Sequence, residues 1–137
     1  MGQVRRDVHE RRGHLKTLAN PGGALDYVAG LQGTVQAFGH GKATRVAIYY
    51  VPDRAIVEPA AFGRYLETLT AVEWGSLEEL ATAILGDFAD ALVARWTRVA
   101  VTAPEGAYPG VGTHEVMIED RQPGWDNAAL LSRLPGA

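Results

Sequence analysis

The hydrophobic pattern divides the chain into two pairs of strand-like segments separated by two helical ones. Residues 26–38 tolerate β-structure but are interrupted by glycine, whereas residues 44–51 are rich in β-branched and aromatic residues. The turn-forming residues 39–42 lie between them and predict a β-hairpin. Residues 96–103 and 112–120 have the same strand-like character, with a connection rich in proline and glycine, and predict a second hairpin.

Between the hairpins, the apolar residues recur with the period of an amphipathic helix. Pro59 suits a first helical turn because its missing N–H is not needed there, and residues 60–70 carry one apolar stripe. Ser76 and Glu79 have the spacing of a capping box, so a second helix is predicted to start at that point. Its apolar face comprises Leu77, Leu80, Ala81, Ile84, Leu85, Phe88, Leu92 and Trp96. Residues 127–133 are predicted to add a short helix.

This order of elements predicts an α+β fold, ββααββ, in which a four-stranded antiparallel sheet carries two helices on one face. Residues 1–23 are polar and end in the turn sequence NPGG, so we expect a flexible N-terminal arm with little regular structure, followed by a single domain over residues 24–137. The edges of such a sheet are unpaired, which favours closure into a homo-oligomeric barrel. Edges that are merely blunted by charge are the alternative.

Composition narrows the classes of function. The 137 residues are 47% hydrophobic and 21% charged, as in an ordinary globular domain, and the absence of cysteine excludes thiol chemistry. The formal charge of −3 and the scattered basic residues argue against a nucleic-acid partner. No apolar run approaches the roughly 18 residues of a membrane span, so we expect no membrane association and a cytoplasmic location.

The dispersed histidines and glycines lack the spacings typical of metal and cofactor sites. The four histidines form no H-x-x-x-H or H-x-H motif, and no G-x-G-x-x-G follows a predicted strand. We therefore expect no metal ion and no nucleotide cofactor.

Several short segments in collinear order resemble motifs of the 7-cyano-7-deazaguanine reductase (nitrile reductase) family. The run LKTLANP at residues 15–21 is similar to L-E-T-F-x-N-P, and residues 49–53 and 56–58 are similar to R-Y-V-P-D and V-E-S. Residues 65–66 fit K-L-Y-L, and the helix residues Glu78, Ile84, Leu85 and Asp87 fit F-H-E-x-x-x-N-x-I-x-x-D. The resemblance spans about residues 15–120. It implies the ββααββ tunnelling fold, which pterin and purine enzymes share, and a barrel-shaped homo-oligomer with sites at subunit interfaces.

The resemblance also implies a site for a planar heterocyclic substrate. Val57 and Glu58 lie in the segment that frames the heterocycle, and Glu78, preceded by Leu77 where the family has histidine, takes the place of the carboxylate that grips the amidine edge. A carboxylate suits that role because its two oxygens match paired N–H donors. The alternative is that these glutamates are simply favoured at helix starts by the helix dipole. For Glu58 the match is also weaker because Pro59 replaces the family's serine.

The chain departs from the family at the residues that reduce a nitrile. The family's nucleophilic cysteine falls on or near Val35 and its aspartate on Lys42. Without a thiol, the covalent thioimide intermediate has no nucleophile to form on. We therefore expect no NADPH-dependent nitrile reduction.

Other side chains are candidates for a different chemistry. His40 and Lys42, between flexible glycines, are candidate acid–base catalysts, although a solvated hairpin turn explains them equally well. His114 is a candidate for substrate binding, with a half-buried structural histidine as the alternative. Trp74 suits either stacking on a flat ligand or packing beside the helix start.

Two hypotheses of function follow. The first is an enzyme that binds a pterin-, purine- or deazapurine-like heterocycle and performs a non-redox cyclisation, lyase or hydrolytic step by acid–base catalysis. The second is a catalytically inactive relative of the nitrile reductases that acts as a ligand-binding or assembly protein.

Overall fold

Four antiparallel strands form the main sheet, in which the second, third, fifth and sixth strands of the chain lie side by side in that order. The computed structural model describes residues 2–39 and 41–134, with side chains from residue 8 onward. The strands are β1 (Thr17–Ala19), β2 (Ala29–Val35), β3 (Thr44–Val51), β4 (Ala55–Val57), β5 (Trp96–Thr102) and β6 (Glu115–Arg121). The helices are α1 (Gly2–Gly13), α2 (Pro59–Thr70), α3 (Leu77–Leu92) and α4 (Ala128–Leu131).

The hydrophobic core lies between this sheet and the two longer helices that follow it in the chain. Alternate residues of β3 point inward, among them the buried Val46, Ile48 and Tyr50, as the period of two predicts. Helix α2 packs on β2, and α3 packs on β5 and β6. The predicted α+β class and the four-stranded antiparallel sheet with its helices are therefore confirmed.

The register of the sheet brings two connections to the same end. Val35 pairs with Thr44, and Arg45 in turn lies opposite Thr102, which pairs with Glu115. Residues 36–43 and 103–114 consequently leave the sheet side by side, at an end that we call the loop end.

Polar contacts hold the opposite end together. The Arg95 guanidinium donates to the carbonyls of Leu25 (2.9 Å) and Gly23 (2.6 Å), and it lies 3.1 Å from an Asp26 oxygen. Gln122 donates through Nε2 to an Asp53 oxygen at 3.1 Å. These bonds tie the start of β5 to the turn before β2, and the end of β6 to Asp53, which follows β3.

The caps of α3 explain where that helix begins and ends. The Ser76 hydroxyl accepts the N–H of Glu79 at 3.1 Å, as predicted, but the Glu79 carboxylate accepts from Gly75 rather than from Ser76. Val93 adopts a left-handed conformation with φ of 48° and ends the helix after Leu92. The predicted extension of the helical face to Trp96 is wrong, because Trp96 is the first residue of β5.

The N-terminal segment corrects a second expectation. Within residues 2–23, which we expected to have little regular structure, the chain forms α1 and also β1, which pairs antiparallel with β4. Neither element has the apolar periodicity on which the prediction relied. Helix α1 is strongly polar, and β1 has only three residues. Ion pairs attach α1 to the rest of the protein instead. Arg11 and Arg12 both donate to the buried carboxylate of Asp87 on α3, at 2.5 Å and 2.9 Å.

Candidate functional site

The structure brings two of the predicted substrate-binding residues together at the loop end. Glu78 lies in the first turn of α3, and His114 lies directly before β6. Their Oε1 and Nε2 atoms are 3.9 Å apart, and 66% of the Glu78 side chain and 36% of the His114 side chain are exposed. A carboxylate and an imidazole from segments distant in sequence therefore stand together and open to solvent.

Backbone and ring contacts fix the position of His114. Its carbonyl accepts the N–H of Ala103 at 2.9 Å, which continues the ladder between the last two strands by one residue. The ring of Tyr108 meets the imidazole edge to face, with ring centroids 6.1 Å apart. The loop that joins β5 to β6 thus supports the imidazole from one side.

A surface cleft of about 650 Å³ adjoins Glu78 on the other side. Its walls come from α1, from the connection between α2 and α3, and from the first turns of α3. The indole of Trp74 is held there because its Nε1 donates to the Leu69 carbonyl at 2.9 Å, and the Arg11 guanidinium lies 5.6 Å from the ring centroid. Trp74 is half-buried, so it is both packed beside the helix start and part of the cleft wall.

The predicted catalytic loop leaves the sheet at the same end. Lys42 is exposed, and His40 lies outside the described residues. Strands β3 and β6 are two inter-strand spacings apart, about 10 Å. The loop that carries Lys42 and the pair formed by Glu78 and His114 therefore begin roughly that distance from each other along the sheet edge.

The remaining predicted site residues lie elsewhere or are enclosed. Glu58 flanks the start of α2, makes no side-chain cap, and has an oxygen 3.7 Å from an Arg64 nitrogen on the same helix. The side chains of Val57 and Leu77 are buried in the core. Contact with a ligand at these two positions would therefore have to come from backbone groups, and the N–H of Val57 already donates to the Tyr50 hydroxyl at 2.9 Å.

Two residues of this region were not predicted from the sequence as site residues. Arg11 reaches the cleft from the N-terminal helix, and Tyr108 reaches His114 from a loop. The one sign in the sequence that Tyr108 has a role is that it is an aromatic residue in a loop rich in glycine and proline. Nothing in the sequence near Arg11 indicates a partner 76 residues away.

Among the side chains of residues 8–39 and 41–134, which the structure describes, no three histidine, aspartate or glutamate groups are placed so as to hold a metal ion. In that same part of the chain, every helix is too short or too polar to cross a lipid bilayer.

Comparison with solved structures identifies the fold. The apo crystal structure of the archaeosine synthase QueF-Like has a TM-score of 0.54 and 23% sequence identity over 69% of this chain and 91% of that chain. No protein-family model matches the chain, and no curated protein matches it. At this identity the similarity shows the fold alone, a QueF-like tunnelling fold.

Proposed function

We propose that the chain binds a planar pterin-, purine- or deazapurine-like heterocycle at the loop end and carries out non-redox acid–base chemistry on it, in a cyclisation, lyase or hydrolytic step. The observation that carries this proposal is the proximity of Glu78 and His114, whose Oε1 and Nε2 atoms are 3.9 Å apart at an exposed site.

The two side chains have complementary chemistry. The Glu78 carboxylate offers two acceptor oxygens to the paired N–H groups of an amidine-like ring edge, which a neutral side chain cannot match. An imidazole has one nitrogen that can donate a proton and one that can accept it, so His114 is suited to move a proton to or from a ring held by the carboxylate. His40 and Lys42, on the neighbouring loop, are the further candidate acid–base groups.

The site is proposed to be completed in a cytoplasmic homo-oligomer, at the interface between subunits. The outward face of the sheet presents side chains such as Arg98 and Met117, whereas its other end, beside Tyr49 and Trp96, is covered by Leu130 and Leu131 of α4. Strands β2 and β6 are both edge strands of the main sheet. Pairing of these edges between copies would bring the loop ends of two subunits together.

A second candidate function is binding or assembly without catalysis. What favours it is the sequence resemblance, by which the cysteine of the nitrile reductases falls on or near Val35 and their aspartate on Lys42. Loss of those groups removes covalent reduction. We accordingly expect no NADPH consumption with 7-cyano-7-deazaguanine, and measurable consumption would overturn that expectation.

A thermal-shift screen of the full chain against pterins, guanine-like purines and 7-deazaguanines tests the proposal, because a ligand that binds only the folded state raises the melting temperature. Glu78→Gln should abolish the shift, whereas Glu67→Gln, an exposed glutamate on α2, should leave it unchanged. A shift that survives Glu78→Gln, or no shift with any compound, would overturn the heterocycle proposal.

The catalytic part of the proposal is tested with a ligand that this screen identifies. His40→Ala and Lys42→Ala should leave binding largely intact and slow turnover, and His114→Ala should slow turnover as well. If turnover is undetectable in the unaltered chain, or if none of the three changes affects it, the binding function is the better description.

A further inference from the structure

The outward face of the main sheet, which points away from α2 and α3, carries a shallow trough of about 350 Å³. Its floor is the pair Ala47 and Ala100, which lie opposite each other on β3 and β5. Gln32 of β2 and Met117 of β6 pair with these two alanines and form the sides of the trough. A volume of this size lies within the range of small-molecule sites, roughly 300–1,000 Å³.

The two ends of the trough along β3 are a phenol and a guanidinium. Tyr49 packs against the apolar cluster that contains Trp96, and its hydroxyl accepts a hydrogen bond from Nε2 of Gln32 at 3.0 Å. Arg45 lies on the other side of Ala47 and is exposed. The contacts of Tyr49 hold this wall in place, so a ligand need not order it.

Opposite charges stand at the loop end of the trough without forming an ion pair. Arg45 of β3 and Glu115 of β6 lie on either side of Thr102 in one row across the sheet, about 10 Å apart along the backbone. The Thr102 hydroxyl donates to the Glu115 carboxylate at 3.0 Å. Among the described residues, no carboxylate lies within 4.0 Å of the Arg45 guanidinium, and no cationic nitrogen lies within 4.0 Å of the Glu115 carboxylate. Both charges are therefore available to a ligand.

This combination of groups suits a zwitterion that has an apolar substituent. A guanidinium binds a carboxylate through two parallel hydrogen bonds, and a carboxylate binds an ammonium group through charge-assisted ones. An α-amino acid carries both of its charges on neighbouring atoms, and the long side chains of Arg45 and Glu115 can converge on them above Thr102. Burial of the remaining substituent against the alanine floor is favourable because it removes apolar surface from water.

We propose that the trough is a binding site for an α-amino acid with a flat, apolar side chain. Arg45 binds the carboxylate and Glu115 binds the ammonium group. The side chain lies on Ala47 and Ala100 and points towards Tyr49.

Three probes with the same phenyl ring and chain length test the requirement for both charges on the full chain. Phenylalanine should bind with a Kd on the order of 1 mM, as expected for a ligand of about twelve heavy atoms. Phenylpropionate lacks the ammonium group and phenethylamine lacks the carboxylate, so each should bind at least about tenfold more weakly. Protein-observed NMR titrations give the three affinities. No binding of phenylalanine, or equal binding of phenylalanine and either of the other probes, would overturn the proposal.

Substitutions at the two charges assign each one to its partner group. In Arg45→Gln, phenylalanine and phenethylamine should bind about equally, because the carboxylate has lost its partner. In Glu115→Gln, phenylalanine and phenylpropionate should bind about equally for the same reason. Arg54→Gln and Glu67→Gln, at exposed positions outside the trough, are the matched controls and should keep both preferences. A preference for phenylalanine over phenethylamine that survives Arg45→Gln would overturn the role given to Arg45.

A substitution in the floor tests where the ligand lies. Ala47→Leu adds a side chain that fills the trough and points away from α2 and α3, so it should abolish phenylalanine binding while the chain stays folded. Phenylalanine binding that is unchanged in the folded variant would overturn the assignment. If the variant does not fold, the substitutions at the exposed Arg45 and Glu115 still decide the question.

The trough goes beyond the heterocycle function proposed above and uses neither Glu78 nor His114. Pairing of edge strands between copies leaves the face of the sheet open, because the strands join side by side. Glu78→Gln should not change the affinity for phenylalanine, and a loss of binding in that variant would overturn a separate site. Phenylalanine binding without any heterocycle hit would support the trough and overturn the heterocycle proposal, whereas a heterocycle hit without phenylalanine binding would do the reverse.

Discussion

The hydroxyl of Tyr65 donates a hydrogen bond of 2.5 Å to the fully buried carboxylate of Asp87, between α2 and α3. Arg11 and Arg12 bring two guanidinium groups from α1 to the same carboxylate. A buried charge is tolerated only with partners that replace its hydration, and here four hydrogen bonds supply them. The Asp87 side chain thus joins α1, α2 and α3 to one another.

Asp87→Asn should lower the free energy of unfolding by about 3–5 kcal/mol, because it leaves the buried Arg11 guanidinium without its counter-charge. Urea denaturation measures the change as a lower midpoint. Asp90→Asn is the matched control, since Asp90 is 58% exposed and its ion pair with Arg12 is long, at 3.8 Å. It should change stability by less than about 0.5 kcal/mol. Equal effects of the two substitutions would contradict the role given to Asp87.

Stability should fall in alkaline solution because of the buried tyrosines. Burial raises the pKa of Tyr65 well above its ordinary value of 10.0, and the neighbouring Asp87 raises it further against the opposing effect of Arg11. Burial also raises the pKa of Tyr50. Above pH 10 the unfolded chain releases these protons while the folded chain retains them, so rising pH favours unfolding; below pH 10 this contribution is constant.

Tyr65→Phe tests the sign of this effect. Unfolding free energies measured by urea at about pH 8.5 and about pH 10.5 should differ less in Tyr65→Phe than in the unaltered chain, because one of the titrating groups is gone. The remaining slope belongs partly to Tyr50. Identical slopes in the two proteins would show that Tyr65 has no part in the alkaline loss.

Two glycines should respond in opposite directions to alanine. At Gly33 an added Cβ would lie 2.3 Å from Cδ1 of the buried Leu66, so Gly33→Ala should destabilise the chain by about 1–3 kcal/mol through crowding between β2 and α2. At Gly63, on the exposed side of α2, an added Cβ meets no atom within 4 Å. Gly63→Ala should stabilise the chain by about 1 kcal/mol through helix propensity. Thermal or urea unfolding of both variants checks the pair, and a shared sign would contradict the packing described at Gly33.

The contribution of the N-cap of α3 to the free energy of unfolding should be measurable as well. Ser76→Ala removes the oxygen that accepts the Glu79 N–H and should reduce stability by about 1 kcal/mol. Ser132→Ala, at an exposed position after α4, is the control and should have little effect. If the two substitutions are equally mild in urea titrations, the hydrogen bond at Ser76 contributes less than a typical cap.

The sequence predicted the central elements well because their signals are local. The spacing of Ser76 and Glu79, the proline at position 59 and the β-branched run at 44–51 each act within a few residues, and α2, α3 and the first hairpin appear where those signals lie. The end of α3 was missed because Trp96 continues the apolar period while Val93, a residue that rarely adopts positive φ, turns the chain out of the helix.

The N-terminal helix was missed for a different reason. Its attachment depends on the carboxylate of Asp87, which is 76 residues from Arg11 and 75 from Arg12. No pattern along the chain indicates which arginine pairs with which aspartate. The proximity of Glu78 and His114 was likewise not predictable, although each residue was singled out, because it follows from the register of β5 and β6. The sequence therefore indicated the residue types of the candidate site but not which of them stand together.

The register of the sheet has a consequence for how this protein tolerates change. The candidate chemistry lies where residues 36–43 and 103–114 leave the strands, whereas the bonds of Arg95 and Gln122 fasten the other end. Substitutions in the two loops can alter reactivity while the fastening stays intact. A chain built in this way can accept different side chains in these loops over evolutionary time while keeping its fold, and the same separation makes the two loops suitable positions for grafting catalytic groups in the laboratory.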